Sequence, residues 1–146
     1  MRQDRFGMTL GLLIACAALL SPPSAQGEEE TLYAQMGGEE TLREVVRHFS
    51  DLVLEDPRIN FTFANADMDA FRRKIYEQFC ELTGGPCTYT GVDMKESHKE
   101  LQVDNMQFNA IAEDLYVAME RAGVPYRLQN RLMVLLAPMQ RDIVTK

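Results

Sequence analysis

Residues 93–101, DMKESHKEL, contain His98, one of two histidines in the chain. Asp93 can cap a short helix, and His98 follows Met94 by four residues and precedes Leu101 by three, which places all three side chains on one helical face. We therefore expect His98 to point toward the interior. An inward histidine is either a core residue with a satisfied hydrogen bond or a metal ligand, and this stretch alone leaves both interpretations open.

The helical period of this stretch extends over most of the chain. Apolar residues recur at intervals of three and four along four longer segments, which start near residues 39, 68, 105 and 126. Glycine and proline break the pattern between segments, at Gly37-Gly38, Asp56-Pro57, Gly84-Gly85-Pro86 and Gly123-Val124-Pro125. Because few segments alternate with a period of two, we predict an all-α domain without a β-sheet. Pro138 should kink or fray the last helix.

Phenylalanine recurs on separate predicted helices and at the corner between two of them. The residues are Phe49, Phe61, Phe63, Phe71, Phe79 and Phe108. Such a set suits a flat aromatic ligand. It equally suits a plain core, which composition alone favours because aromatic stripes usually pack against one another.

Charge and cysteine content exclude several classes of protein. The chain has 146 residues with 15 Lys and Arg against 22 Asp and Glu, a net charge of −7, so we expect no nucleic-acid partner. Its length and ordinary composition indicate one domain. The three cysteines form no CxxC pair, which excludes a four-thiolate zinc site and a cysteine-ligated iron–sulfur cluster.

The first 27 residues have the pattern of a secretory signal peptide. Arg2 and Arg5 precede the apolar run GMTLGLLIACAALL at residues 7–20, and small residues and prolines follow. We predict cleavage near Ala25 or Gly27, export to the periplasm or outside the cell, and a mature domain of residues 28–146 without a membrane span. The alternatives are an uncleaved anchor, for which the run is short, and a lipoprotein acylated at Cys16.

Removal of the signal peptide leaves two cysteines, Cys80 and Cys87. An even pair in an exported protein can form a disulfide, and the loop between these two is short. Pairing requires Cα atoms within about 7 Å, which the sequence cannot show, so a disulfide and two free thiols both stay open.

Several short motifs occur in a fixed order along the mature chain. They are LYAQMGG at residues 32–38, VVRHF at 45–49, DPR at 56–58, the Phe63 corner, GGP at 84–86, YTG at 89–91 with Met94, His98, and AGVP at 122–125. In this order and spacing they resemble the group I truncated haemoglobins over essentially all of the mature domain. The resemblance implies a shortened globin fold in which two helix pairs sandwich a haem.

The resemblance also implies a role for individual residues. His98 matches the family's proximal iron ligand, and Phe63 matches the phenylalanine that packs on the haem. The side chains expected to contact the haem are Phe49, Phe63, Phe71, Ile75, Phe79, Met94 and Phe108. The chain has no CxxCH motif, so we expect haem b (iron protoporphyrin IX) held without a covalent bond.

The distal pocket departs from the family pattern. Where many members have a tyrosine after the phenylalanine that matches Phe49, this chain has Ser50, and the other two distal positions are the apolar Phe71 and Ile75. Loss of a charge-assisted hydrogen bond to the gas costs roughly 1.5–3 kcal/mol, so we expect modest oxygen affinity unless another donor reaches the ligand.

Lys74 is a candidate for a polar group that reaches the distal side of the haem. It lies where some family members place a histidine or lysine that coordinates the iron itself. An amine must lose its proton to coordinate, whereas a lysine that keeps its charge can reach past the haem edge to a propionate, and the second interpretation is favoured.

The sequence thus predicts a haem-binding globin that reversibly binds oxygen, nitric oxide or carbon monoxide as a carrier or sensor, and that is a monomer. One alternative is a redox enzyme of nitric oxide, peroxide or nitrite chemistry, which needs a redox partner and a stable oxygen complex. Another is a six-coordinate electron-transfer protein with Lys74 as the sixth iron ligand. A helical bundle without a cofactor leaves the ordered motifs unexplained.

Overall fold

The computed structural model describes residues 29–146 of the chain. Within this range the elements are α1 (Leu32–Gln35), α2 (Gly38–Glu55), α3 (Met68–Leu82), α4 (Met94–His98), α5 (Asn105–Arg121), α6 (Tyr126–Leu136) and α7 (Gln140–Ile143), with 3₁₀ helices at Asn60–Phe63 and Ala137–Met139. No strand occurs in these residues, which confirms the all-α prediction. The predicted signal peptide, its cleavage site and Cys16 lie outside the described residues.

Aspartate side chains cap the helices whose starts the sequence predicted. The Asp67 carboxylate accepts hydrogen bonds from the backbone N–H groups of Asp69 and Ala70 at the start of α3. At α5, Asp104 accepts from the Gln107 N–H at 2.9 Å while the Gln107 side chain accepts from the Asp104 N–H, a reciprocal capping box. Each cap satisfies backbone donors that the first helical turn leaves without partners.

The core lies where α2 packs against α3 and α5. The inward stripe of α2 repeats at the helical period and is buried throughout, with Leu42, Val45, Val46, Phe49 and Val53. Burial of each such side chain contributes roughly 1.5–3 kcal/mol relative to exposure, so this stripe fixes α2 as the central helix.

The chain turns sharply where glycine precedes α2. Gly37 has a φ of 104°, a left-handed conformation that side chains rarely adopt, and a Cβ atom there would lie 2.2 Å from the Thr41 hydroxyl oxygen. The predicted break at Gly37-Gly38 therefore separates α1 from α2.

The C-terminal end changes helix type at the predicted position. α6 ends at Leu136, and Pro138 lies inside the 3₁₀ helix Ala137–Met139 that leads into α7. α7 packs against α4, the helix that carries His98. In residues 29–146, no helix combines the length and the apolar character needed to cross a membrane.

Candidate functional site

His98 is the last residue of α4, a helix of only five residues. Asp93 caps this helix by accepting a hydrogen bond from the Glu96 N–H at 2.8 Å. His98 Nδ1 lies 2.7 Å from the Met94 carbonyl oxygen and 2.8 Å from the Ser97 hydroxyl oxygen. A carbonyl oxygen can only accept, so Nδ1 donates to it, and Nε2 keeps the lone pair with which a neutral imidazole binds a metal.

The neighbourhood of His98 differs from the sequence prediction in one respect. We expected Leu101 to share its helical face, but α4 ends at His98 and Leu101 is 43% exposed. The next residue, Gln102, has a left-handed φ of 51°. His98 itself is half-buried.

Four of the predicted aromatic side chains form one cluster. Phe49 on α2 pairs with Phe71 and Phe79 on α3 at centroid distances of 6.1 and 6.4 Å. Phe63, in the 3₁₀ corner, meets Phe71 edge-on at 5.2 Å. Phe61 is not part of the cluster and is 62% exposed.

Several apolar side chains that the sequence predicts to contact the haem are only half-buried. Phe71 and Ile75 lie one helical turn apart on α3 and pack against the core from its edge. Phe108, on α5, is half-buried and forms no ring pair with the other aromatic residues of the described range. Five of the side chains that the sequence predicts to contact the haem are half-buried, and we call them the slot residues, or the slot: Phe63, Phe71, Ile75, Met94 and Phe108.

Ser50, the residue at the expected distal position, is fully buried on α2. Its hydroxyl donates to the Val46 carbonyl oxygen of the same helix at 2.7 Å. The hydroxyl proton is therefore used within α2, which strengthens the expectation that Ser50 does not replace a tyrosine donor.

The Lys74 side chain contacts two residues of its own chain, Glu77 and Thr90. Its ammonium group lies 2.9 Å from Glu77 Oε2 and also donates to the Thr90 hydroxyl. Glu77 accepts as well from the Thr90 hydroxyl at 2.7 Å and the Thr90 N–H at 3.1 Å, and these hydrogen bonds with Thr90 and Lys74 lower the pKa of Glu77 to about 2. This Lys74–Glu77–Thr90 cluster joins α3 to the loop before α4.

Gln78 is a buried polar residue of this region that the sequence analysis missed. It is 8% exposed, and its side-chain nitrogen lies 3.4 Å from Met94 Sδ and 3.8 Å from Met139 Sδ. The signal was present in the sequence, because Gln78 interrupts an otherwise apolar stripe along α3 that contains Met68, Phe71, Ile75, Phe79 and Leu82.

Cys80 and Cys87 are joined by a disulfide in the structure, with Cα atoms 5.7 Å apart. The bond links buried Cys80 near the end of α3 to the loop that leads to α4. Gly85 lies inside this loop, where a Cβ atom would approach Cys80 Sγ to 2.7 Å. The disulfide therefore fixes the chain between the two helices that flank the slot.

The side chains present fit a metal held mainly by a macrocycle. Among residues 29–146, no group of three or more His, Cys, Asp or Glu side chains could hold a metal ion by itself. A single imidazole with a free Nε2, together with the half-buried apolar and aromatic side chains of the slot, instead suits a haem, whose ring nitrogens supply the remaining ligands.

Comparison with known proteins agrees with this chemistry. A family model described as "Bacterial-like globin" matches residues 31–145. The group 1 truncated hemoglobin of Tetrahymena pyriformis is 32% identical over 117 residues, which covers 80% of this chain and 97% of that protein. The group 1 truncated hemoglobin of Mycolicibacterium paratuberculosis is 32% identical over 120 residues, covering 82% of this chain and 88% of that one.

The fold is shared as well. The crystal structure of the Tetrahymena pyriformis truncated hemoglobin in its Fe(III) form superposes with a TM-score of 0.77 at 32% identity, covering 80% of this chain and all of the other. Each of these matches spans nearly the whole of the similar protein, so the likeness extends over a complete domain and not only a shared motif.

Proposed function

This chain belongs to the bacterial-like globin family, as a group I truncated haemoglobin, and from that membership we propose that it binds haem b without a covalent bond and reversibly binds a diatomic gas. His98 supplies the protein ligand to the iron. When bound, the haem supplies an iron with one coordination position for a gas such as oxygen, nitric oxide or carbon monoxide.

The observation that carries the proposal is the hydrogen bond between His98 Nδ1 and the Met94 carbonyl oxygen, at 2.7 Å. It fixes the ring orientation and, in the neutral ring, the tautomer with the proton on Nδ1, so that Nε2 carries the lone pair. An outer hydrogen bond of this kind also raises the basicity of a metal-bound imidazole.

The slot supplies the second requirement, an apolar surface for a flat apolar ring. Phe63 and Phe71 form one wall through their edge-on contact, and Ile75 continues that wall along α3. Haem binding would bury these half-exposed side chains, and each Å² of apolar area removed from water contributes about 25 cal/mol.

Two observations favour reversible gas binding over the alternatives. Lys74 is engaged by Glu77 and Thr90, so a six-coordinate electron-transfer site would require the loss of that ion pair and of the lysine proton. Ser50 uses its hydroxyl within α2, so it gives no support to the stable oxygen complex that dioxygenase chemistry needs.

We further propose that the protein is exported and functions as a monomer outside the cytoplasm. The signal-like residues 1–27 support export, and so does the disulfide between Cys80 and Cys87, because such bonds persist in oxidising compartments.

The test compares the two histidines of the chain. The apo-protein, His98→Ala and His48→Ala are titrated with haemin, and absorption spectra are recorded in the ferric and ferrous states. We expect wild type and His48→Ala to give the same strong Soret band, because His48 lies on α2 beside Arg47 and Glu44. His98→Ala should lose the band or bind haemin more than roughly 100-fold more weakly. An unchanged spectrum in His98→Ala would contradict the proposed ligand.

A further inference from the structure

The side-chain amide of Gln78 faces two methionine sulfurs. Gln78 is 8% exposed, and its amide nitrogen lies 3.4 Å from Met94 Sδ on α4 and 3.8 Å from Met139 Sδ in the 3₁₀ helix before α7. In the described part of the chain, no oxygen or nitrogen atom accepts from this amide, and thioether sulfur is a weak acceptor. Gln129, a second buried glutamine, donates to the Val124 carbonyl oxygen at 2.8 Å. The Gln78 amide therefore has a hydrogen-bonding capacity that its present contacts use poorly.

Oxidation of a methionine would supply the acceptor that this amide lacks. A thioether that gains one oxygen atom becomes a polar sulfoxide, whose oxygen can accept a hydrogen bond. An oxygen added to Met94 Sδ on the side that faces Gln78 can lie about 2.9 Å from the amide nitrogen, the distance of an ordinary N–H···O hydrogen bond. The contact between Gln78 and Met94 thus suits the oxidised side chain better than the reduced one.

The reaction requires a two-electron oxidant, and hydrogen peroxide is the one that we consider. A lone pair of the Met94 sulfur attacks one peroxide oxygen, so that an S–O bond forms and the O–O bond breaks. The departing hydroxide takes the proton of the transferred oxygen and leaves as water. Met94 is half-buried, so a molecule as small as peroxide can reach it. Sulfoxide reductases reverse the modification.

Met94 also orients the proposed iron ligand, because its carbonyl oxygen accepts the hydrogen bond from His98 Nδ1 at 2.7 Å. A sulfoxide among packed side chains usually disrupts them, since its oxygen is removed from water without a partner. Here the buried Gln78 amide can provide that partner. Met94 can then keep its place after oxidation, and its carbonyl oxygen can keep the contact with His98.

We propose that Met94 is a site of reversible oxidation to methionine sulfoxide, and that the side-chain amide of Gln78 binds the sulfoxide oxygen. This modification goes beyond the proposed function, because it requires no haem. In the haem-loaded protein, it lets the residue that orients His98 be oxidised without loss of the fold.

The experiment measures oxidation and stability in the same sample. The mature chain is loaded with haem and closed with carbon monoxide, which keeps peroxide from the iron, and is then treated with hydrogen peroxide. Mass spectrometry of peptides measures the sulfoxide at each methionine, and thermal unfolding gives Tm before and after treatment. Met106, which is 59% exposed, is the internal control for reactivity. We expect sulfoxide at both Met94 and Met106, with Tm of the wild type changed by less than about 2 °C.

The comparison that isolates the amide is between Gln78→Leu and Gln129→Leu. Both variants lose a buried glutamine, but only Gln78 contacts methionine sulfur. Peroxide treatment should lower Tm of Gln78→Leu by roughly 5–15 °C, because the sulfoxide oxygen is then buried without a donor. Gln129→Leu should respond to the treatment as the wild type does.

A second measurement needs no substitution at Gln78, and it decides the question if Gln78→Leu does not fold. The side-chain amide of Gln78 is followed by ¹⁵N NMR in the diamagnetic carbon monoxide complex. Oxidation should move its amide protons downfield in the wild type, as expected for a stronger hydrogen bond, and should leave them in place in Met94→Leu.

The results that would overturn the inference are distinct from those that concern haem. Met94 that stays unmodified while Met106 is fully converted overturns it, and so does oxidation of Met139 in place of Met94. An equal change of Tm in wild type and Gln78→Leu, or Gln78 amide protons that oxidation does not move, also overturns it. A protein that takes up no haemin contradicts the proposed function alone, because the same oxidation experiment on the haem-free protein still tests this inference.

Discussion

Asp114 is a buried carboxyl group on α5 that the proposed function does not use. It is 7% exposed, and its Oδ2 atom is buried without a hydrogen-bond partner. Burial raises the pKa of Asp114 from 3.8 to about 6, and the nearby negative charge of Asp56 acts in the same direction. Arg58 and Arg121 oppose the shift but do not cancel it.

This shift predicts how Asp114 affects stability at different pH values. Because the folded state holds the proton more tightly, stability decreases as the pH rises from about 4 through about 6. Asp114→Asn should therefore raise the free energy of unfolding at pH 7 by on the order of 2 kcal/mol, with little effect below pH 4. Urea unfolding at the two pH values measures this.

Glu113→Gln is the matched control for Asp114→Asn, since it removes one negative charge from the adjacent, exposed residue. Its effect at pH 7 should be small, because Glu113 only forms a surface ion pair with Arg58. Equal stabilisation by both variants would show that net charge, and not burial of Asp114, is responsible.

Single residues also show where sequence reasoning reaches its limit. The capping roles of Asp67, Asp93 and Asp104 were predictable, because a cap depends only on residues two or three positions ahead. The partner of Lys74 was not, since Thr90 comes from a loop whose path the helical period does not determine.

Two sets of contacts hold the loop that connects α3 and α4. The disulfide between Cys80 and Cys87 holds its first part, and the Lys74–Glu77–Thr90 cluster holds the part nearer α4. These two links fix the loop between the helix that forms a wall of the slot and the helix that carries His98. They therefore restrain the position of α4, a helix of only five residues.

Removal of the disulfide should destabilise this connection. The double variant Cys80→Ser/Cys87→Ser should lose roughly 2–3 kcal/mol of unfolding free energy, as expected for a cross-link that closes a loop of this length. We also expect haemin to dissociate faster, because His98 follows the released loop. Denaturant unfolding and transfer of haemin to apomyoglobin measure the two effects.

Dithiothreitol supplies the control for the disulfide prediction. It should reduce the stability of wild type to that of the double variant and leave the double variant unchanged. If the reductant has no effect on wild type, Cys80 and Cys87 are not paired in the protein as prepared.

Element lengths were predictable where glycine, proline or a capping residue ends the pattern, as at Gly84-Gly85-Pro86 after α3. They were not predictable at α4, where Leu101 continues the apolar spacing although the helix has ended. The tertiary contact of α4 with α7, which is distant in sequence, lies outside what a local pattern can indicate.

On the scale of the whole molecule, the core side chains and the slot side chains differ in how far they are buried. The apolar side chains on the inward stripe of α2 are almost fully buried, whereas the slot side chains Phe71, Ile75, Met94 and Phe108 are not. The sequence could place these apolar residues on helical faces, but it could not separate those that pack against protein from those left for a ligand. That separation depends on how the helices pack, and here α2, α3 and α5 pack together while α4 packs against α7.

If haem buries the half-buried slot side chains, haemin should bind the folded state and stabilise the whole fold. With free haemin at about 100 times its Kd, the native state gains about 2.7 kcal/mol, which raises Tm by roughly 5–15 °C for a domain of this size. Differential scanning calorimetry of the apo-protein with and without haemin measures the shift, and His98→Ala should show a much smaller one at the same haemin concentration. An equal rise in both proteins would mean that haemin binds an apolar surface without ligation by His98, and the iron would then need a different protein ligand.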